Sequence, residues 1–590
     1  MRTVLPLLLM LGAAQPALAQ VDLSGMWSRR SHEDAIHRVP GPELGDYTGI
    51  PVSAAGRLKA ESWDASTLSL PEEQARPHAA QYSMRGPGPN FRMGAVVNPR
   101  TQQLVAYTIT NLFGNADRTI WLDGRPHPSP YAQHTWDGFS TGGWDGYMLK
   151  VTTTHMKTGW LQRNGVTASA YSTMTEFFAR HGEELTLVTI IEDPVYLEEP
   201  FIRTSNFVST PALVIAPPPR FVILDEIATL EKGYVPSYPM GTRHTEFATR
   251  YGLPAEATRG GRHTLYPEYM AALRGTVRPP AADAGASAVG AAHLDNAGFE
   301  ILPVQGSIHM IAGPTGNVTA LVGDEGVLLV DTGTADAAER VAAAVQGLSS
   351  KPIGMIVNTS AGIRSTGGNQ MLAGLGLSPV NAPGNFGIRI EGAPIVAHEN
   401  ALKRMSAPTG QQPPVPFAAW PSVTFFGQKH TTSYNGEPIE VWFEPNAHSD
   451  GDVIVFFRRS DVISTGNVFT TTGYPLIDLA RGGSVQGTLD ALNHIIDIAI
   501  PEFNQQRGTL IVPGHGRICN ESDVVEYRNM LTIVRDRIQR MIGQGMTLAQ
   551  VRAARPTQDY DGLYGSATGP WTTDQFVEAV YQDLSRRARR

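Results

Sequence analysis

Eight residues in the second half of the chain could carry chemistry: Asp331, Ser360, Arg364, Ser365, His448, Asp450, Asn467 and His515. They sit in short segments rich in Gly, Ser, Thr and Asn: Val330-Asp331-Thr332-Gly333, Ser360-Ala361-Gly362-Ile363-Arg364-Ser365, Ala447-His448-Ser449-Asp450-Gly451-Asp452, Ser464-Thr465-Gly466-Asn467 and Val512-Pro513-Gly514-His515-Gly516. Three chemistries are open to them. The Arg364 guanidinium offers a planar fork to a carboxylate or phosphate, with His448 and His515 assisting, which would make the partner a small anionic molecule. Alternatively Arg364 pairs with Asp331, Asp450 or Asp452, and this is the favoured expectation. A third reading has Ser360 or Ser365 activated by one of the histidines as a nucleophile, although nothing in the spacing demands such a dyad.

The elements that must position these residues alternate between strand and helix. Val318 to Val322 and Val327 to Val330 read as a hairpin around Asp324-Glu325-Gly326, Ala335 to Leu348 as a helix, and Ile353 to Val357 as a buried strand. Ile439 to Phe443 and Val453 to Phe457 read as strands; Leu489 to Ile500, Asp523 to Ile542 and Phe576 to Arg587 read as helices. That order suits two sheets packed face to face and covered by helices. Upstream, the unpatterned stretch Pro279 to Ala292 reads as a linker. Before it, Val21 to about Val208 reads as antiparallel β, with runs such as Thr119 to Leu122, Tyr147 to Thr154 and Leu185 to Ile191 broken at Asp123-Gly124, Gly142-Gly143 and Asn164-Gly165. A barrel or sandwich is the economical answer, because closing a sheet removes exposed edges. Residues 209–278 read as a partly helical extension, with a Pro run at 217–219 and helical pieces around 244–251 and 266–274.

Composition limits the partners. Residues 1–19 have the layout of a secretory signal peptide ending in Ala17-Leu18-Ala19, which predicts an exported protein, periplasmic or extracellular, with cleavage before Gln20. No later run is long and apolar enough to span a bilayer. The net charge of −8 argues against a nucleic-acid partner. The terminal Arg586, Arg587, Arg589 and Arg590 read as a solvated helix end, and Cys519, alone in the chain, can form no intramolecular disulfide.

The segments at Val330, Ala447, Ser464 and Val512, taken with Val357-Asn358-Thr359 and Thr366-Gly367-Gly368-Asn369, resemble in sequence and order the motifs of metallo-β-lactamase-fold hydrolases over about residues 298 to 540. Ala397-His398-Glu399-Asn400, Arg404 to Gly410 and Gly569-Pro570-Trp571 add a resemblance to an exported environmental subgroup. The resemblance implies an αββα sandwich over residues 294–545, with a helical extension over 546–590. It also implies a dinuclear zinc site built on an H-x-H-x-D-H segment that would lower the pKa of a bridging water. At that segment this chain has Ser360, Gly362, Arg364 and Ser365; the bridging Asp of the family is Asn467; of the implied ligands only His448 and His515 remain, and they belong to different metal ions. No cofactor is therefore expected, with a single residual zinc the alternative. The implied function is a pseudoenzyme acting as a binding or scaffolding module. Its rival is an active hydrolase of an ester, amide or lactone using a residual single-metal or metal-free site.

The first half, residues 20–208, resembles an uncharacterised exported β-domain through Asp22 to Trp27, Pro40 to Tyr47 and Arg118 to His127; Gly25-x-Trp27 is also similar to the opening of lipocalin-like barrels. The chain as a whole is thus expected to be α+β with two domains. A barrel mouth would suit a small ligand. Trp121, Trp136, Trp144 and Trp160 could line it, but core packing is the expectation for all four. His127, His134 and His155 match no metal spacing and, lying near turns, are expected to be satisfied surface groups.

Overall fold

The computed structural model describes residues 21–31, 41–83, 90–110, 117–215, 222–226, 231–279, 298–378, 392–406, 411 and 413–588. The expected signal peptide, all but the first residue of the expected linker, the Pro run at 217–219, residues 407–410, and Arg589 and Arg590 lie outside these.

In the first half, nine described strands close into a barrel. Their order is Gly25–Arg29, Phe201–Ser209, Glu184–Glu192, Thr173–His181, Met148–Thr154, Phe139–Asp145, Arg118–Trp121, Leu104–Thr110 and Phe91–Val97, which pairs back to Gly25–Arg29. The alternation legible in the sequence is what closes it. In Glu184–Glu192, Leu185, Leu187, Thr189 and Ile191 point inward and are buried, while the residues between them are not. Two features depart from the all-antiparallel β expectation. Arg118–Trp121 and Phe139–Asp145 pair in parallel, and residues 54–83 carry helices at Ala54–Ser62, Pro71–Gln74 and Ala80–Ser83. The first of these helices is capped by Ser53, whose hydroxyl accepts from the Gly56 amide.

Buried side chains pack inside the barrel. Trp27, Phe91, Tyr107, Phe178, Leu187 and Phe207 pack one end, and Met174, Ile191 and Phe201 join a cluster at the other. Between them lies a polar layer of Arg118, Ser140, Thr153 and Glu176, all buried. The extension packs on the barrel half through main-chain contacts, the Tyr47 amide donating to the Thr258 carbonyl; its helices are Glu246–Tyr251 and Tyr269–Leu273.

The second half is a two-sheet sandwich. One sheet has the order Glu300–Gln305, Ile308–Ala312, Val318–Gly323, Gly326–Val330, Ile353–Val357, Ile395–His398, Val423–Phe425; the other has Lys429–Tyr434, Glu437–Glu444, Asp452–Phe457, Val462–Ser464, Leu510–Val512, Cys519–Asn520. Strands buried on both faces read as continuous apolar runs for this reason. In Gly326–Val330, Leu328 and Val330 face the opposite sheet, whereas Val327 and Leu329 face the helix Ala338–Leu348. On the far side, Val485–Ile498, Glu521–Gly543 and Thr573–Ala588 cover the second sheet. Helix Val485–Ile498 starts four residues before its expected Leu489, because Ser484 caps it by accepting from the Gly487 amide. Residues 546–590, expected as an appended extension, contribute Val551, Tyr560, Phe576 and Val580 to the same core as those helices.

The two halves are locked together. The barrel-side loop residue Tyr131 is buried in the core between the two sheets, and its carbonyl accepts from the Ile518 amide. Lys157 from the barrel half donates to Asn520 Oδ1 and Asp523 Oδ2, each at 2.7 Å.

Candidate functional site

The chemistry-bearing segments leave the sheets at the carboxyl ends of their strands. Gly326–Val330 and Ile353–Val357 run parallel, as do Val462–Ser464 and Leu510–Val512, so the loops after all four emerge where ligands bind in α/β sheets.

Asp331 is the anchor. It adopts a left-handed backbone, φ 64°, the conformation Asp tolerates better than most residues. Its amide continues the sheet by donating to the Val357 carbonyl at 2.8 Å. Its carboxylate accepts from the Thr359 amide at 2.7 Å and the Thr359 hydroxyl at 2.6 Å. Burial pushes Asp331 up to about 7, against the pull of its hydrogen bonds from Thr359 and Ser365.

Ser360 lies at the centre of a neutral network. Its hydroxyl accepts from the Gly362 amide at 3.2 Å and from Asn467 Nδ2 at 3.2 Å, and lies 3.1 Å from Ser365 Oγ. Two accepted bonds occupy both of its lone pairs, so its own proton points to Ser365. Ser365 Oγ also lies 3.2 Å from Thr359 Oγ1, whose hydroxyl donates to Asp331. Hydrogen bonds therefore link Asn467 through Ser360, Ser365 and Thr359 to the Asp331 carboxylate. Below this chain, Asn358 and Asn369 exchange amide hydrogen bonds at 2.8 and 3.0 Å, and Thr332 donates into the same group.

The two histidines differ. His448 Nδ1 donates to the Leu476 carbonyl at 2.8 Å, leaving the Nε2 lone pair available. His515 Nε2 contacts the Pro314 carbonyl at 3.1 Å, which requires a proton there, so Nδ1 accepts from Thr472 Oγ1 at 2.6 Å. Both His515 nitrogens are thus engaged. Among the described residues no group of three or more His, Cys, Asp or Glu side chains converges as a metal site. The donor set does not fit a dinuclear zinc centre: it presents hydroxyls and an amide bonded to one another, and one imidazole with a free lone pair.

Arg364 is exposed on the short helix Ile363–Thr366. The expected ion pair with Asp331, Asp450 or Asp452 does not form, because each carboxylate is held elsewhere. Asp331 is bound by Thr359; Asp450 pairs with Arg404 at 2.7 Å; Asp452 accepts from the amide and hydroxyl of Ser449. Nor does a Ser–His dyad form, since the hydrogen bonds of Ser360 and Ser365 go to one another and to non-histidine partners. Burial raises Asp452 to about 6, with His448 and Ser449 opposing.

Sequence reasoning named Asp331, Ser360, Ser365 and Asn467 without placing them in one network, and missed Thr359 as the group that holds Asp331. Only its position after the Asn358 motif residue pointed to it. Thr359→Val keeps the shape of the side chain and removes the donor. It is expected to cost about 1–3 kcal/mol of stability, measured by urea denaturation; a change within error would show that the Asp331 carboxylate does not depend on that hydroxyl.

The histidines of the barrel half are hydrogen-bonded, although His134 is buried where a surface position is expected. His127 lies 2.7 and 2.8 Å from the Thr154 and Thr141 hydroxyls, His134 Nδ1 is 3.1 Å from the Met156 carbonyl, and His155 Nε2 is 3.0 Å from the Ser129 carbonyl. Of the four tryptophans, one packs against a hydrophobic core and three do not. Trp144 packs against the barrel core, and Trp121 is stacked on by Arg125. Trp136 and Trp160, however, line a cavity between the two halves.

No protein family matches the chain, and no curated protein does. Among solved structures the chain is similar to a stereoselective inverting sec-alkylsulfatase from Pseudomonas sp., at 16% identity over 48% of this chain and 50% of that one, with a TM-score of 0.35. A double mutant of a sec-alkyl sulfatase gives 15% identity and a TM-score of 0.36 over the same shares. A metallo-β-lactamase from Pontibacter korlensis gives 18% identity over 40% of this chain and 98% of that one, with a TM-score of 0.30. The chain thus spans about half the length of the alkylsulfatase structures it is similar to.

Proposed function

We propose that residues 294–545 are a metallo-β-lactamase-like domain whose zinc centre has been replaced by a neutral hydrogen-bond network, and that the exported protein acts as a binding or scaffolding module. The observation that carries this reading is the bonding of Ser360. At the strand-end position where the family resemblance implies metal-binding imidazoles, its hydroxyl links Asn467 to Ser365 and onward through Thr359 to Asp331. A site that satisfies itself has no need of a cation to offset its carboxylate. The order of the motifs and the two-sheet architecture with strand-end loops support the hydrolase ancestry. Exposed Arg364 adds one positive charge beside the network, which suits a small anionic partner.

Metal content by mass spectrometry, after dialysis against zinc, tests the reading. The natural protein is expected to hold no stoichiometric zinc. A variant carrying Ser360→His, Gly362→His, Arg364→Asp, Ser365→His and Asn467→Asp is expected to take up about two ions, since it regains the donor types of a dinuclear site. The backbone has room for the glycine change, as a Cβ at Gly362 meets only Ser360 Oγ and Asn467 Nδ2, at 3.2 and 3.4 Å. Stoichiometric zinc in the natural protein, lost on His448→Ala, would favour the hydrolase with a residual single-metal site instead.

A further inference from the structure

A tryptophan-lined space lies away from the Ser360 network. A cleft opens between the barrel half and the second half, walled by Trp63, Trp136 and Trp160 on one side and Tyr560 and Ile533 on the other. Trp63 and Trp160 meet edge to face with centroids 5.2 Å apart. All three tryptophans remain partly exposed, so flat apolar surface faces the cavity uncovered. Trp136 is held in place by its indole N–H, which donates to Glu502 at 2.6 Å.

The guanidinium cations around this wall are paired with carboxylates. Arg76 bridges Glu73 and Glu526, each at 3.0 Å. Arg537 grips Asp559 with two bonds of 2.6 and 2.9 Å. Lys59, by contrast, has no carboxylate within ion-pair distance among the described residues. Its ammonium lies 4.5 Å from the Tyr560 ring centroid and 3.4 Å from the Tyr560 hydroxyl. Although burial works against its charge, Tyr560, Glu526 and Asp559 at longer range raise Lys59 above its ordinary value. A fixed cation beside three tryptophan faces combines apolar contact with a single polar orienting group, the arrangement that small-ligand sites use.

We propose that this interdomain cavity binds a flat aromatic carboxylate, its ring against Trp63 and Trp160 and its carboxylate on Lys59. The proposal does not depend on whether the Ser360 network retains any activity. It is tested on the full-length protein by calorimetry and tryptophan quenching with naphthoate, using naphthylmethanol as the neutral counterpart. Naphthoate is expected to bind saturably, about tenfold or more tighter than the alcohol, because only the acid makes a charge-assisted bond. Lys59→Met should remove that advantage and leave alcohol binding unchanged, Lys59→Arg should retain it, and Trp160→Leu should weaken both ligands. Equal binding of acid and alcohol by the natural protein, or no saturable binding of naphthoate, overturns the proposal without reference to any variant. So does a folded Lys59→Met protein that still prefers the acid.

Discussion

Asp523→Asn is expected to lower the stability of the full chain by about 3–5 kcal/mol, because it leaves two buried cations without a counter-charge. Asp523 accepts from Arg517 at 2.6 Å and from Lys157 at 2.7 Å. It also accepts from the Asn520 amide at 3.1 Å as part of the capping box that starts helix Glu521–Gly543. The variant keeps the size of the side chain, so the loss reads the electrostatics of the contact between the halves. Denaturant unfolding followed by both far-ultraviolet dichroism and tryptophan fluorescence would measure it. A loss under about 1 kcal/mol would place the interaction with ordinary surface ion pairs and refute its role.

The same residue predicts an acid limb. Burial alone would raise the Asp523 carboxyl, but Arg517 and Lys157 outweigh burial and hold it well below the usual carboxylate range. A folded pKa below the unfolded value means that its contribution is fully present above the ordinary Asp value of about 4 and is lost as pH falls below it toward the folded value. The natural protein should therefore lose stability steeply through that range, and Asp523→Asn should show a shallower acid limb.

The second large effect lies inside the barrel. Arg118 and Glu176 form a fully buried pair at 2.5 Å, with Ser140 and Thr153 also accepting from the guanidinium. Arg118→Leu or Glu176→Leu alone should each cost about 3–5 kcal/mol, since either strands a buried charge. The double variant should restore most of that loss and could exceed the natural stability by about 1 kcal/mol or more. The reason is local: Arg118 Nη1 and Glu176 Oε1 have no hydrogen-bond partner among the described residues, so the pair does not fully repay its desolvation. A double-mutant cycle in urea decides the matter; a double variant as unstable as the sum of the singles would show no coupling between the two side chains and refute the expectation.

Much of this architecture was legible because it depends on local periodicity. The apolar runs at Gly326–Val330 and Asp452–Phe457, with both faces buried, and the alternation of Glu184–Glu192 can be read in one dimension, since each side chain's face follows from its position along the strand. The helix Thr573–Ala588 was found within three residues of its start for the same reason. The helices at 54–83 were missed because they are short and sit inside a run of strands, where propensity is a weak guide and tertiary contacts decide.

The candidate site divides along the same line. Residue types alone determined that Ser360, Gly362, Arg364, Ser365 and Asn467 carry no imidazole, thiolate or carboxylate, because that depends only on which atoms the side chains carry. Which carboxylate each cation meets was beyond the sequence. For Arg364 the sequence leaves Asp331, Asp450 and Asp452 open, yet Asp450 is taken by Arg404, 46 residues away and brought beside it by the packing of Glu399–Met405. The tryptophans show the point most plainly. The sequence marks Trp136 and Trp160 as large apolar residues near strands, which predicts core; only the docking of the second half against the barrel turns them into one wall of a cavity, since a space between two folded surfaces is a property of their relative placement and leaves no period in either segment.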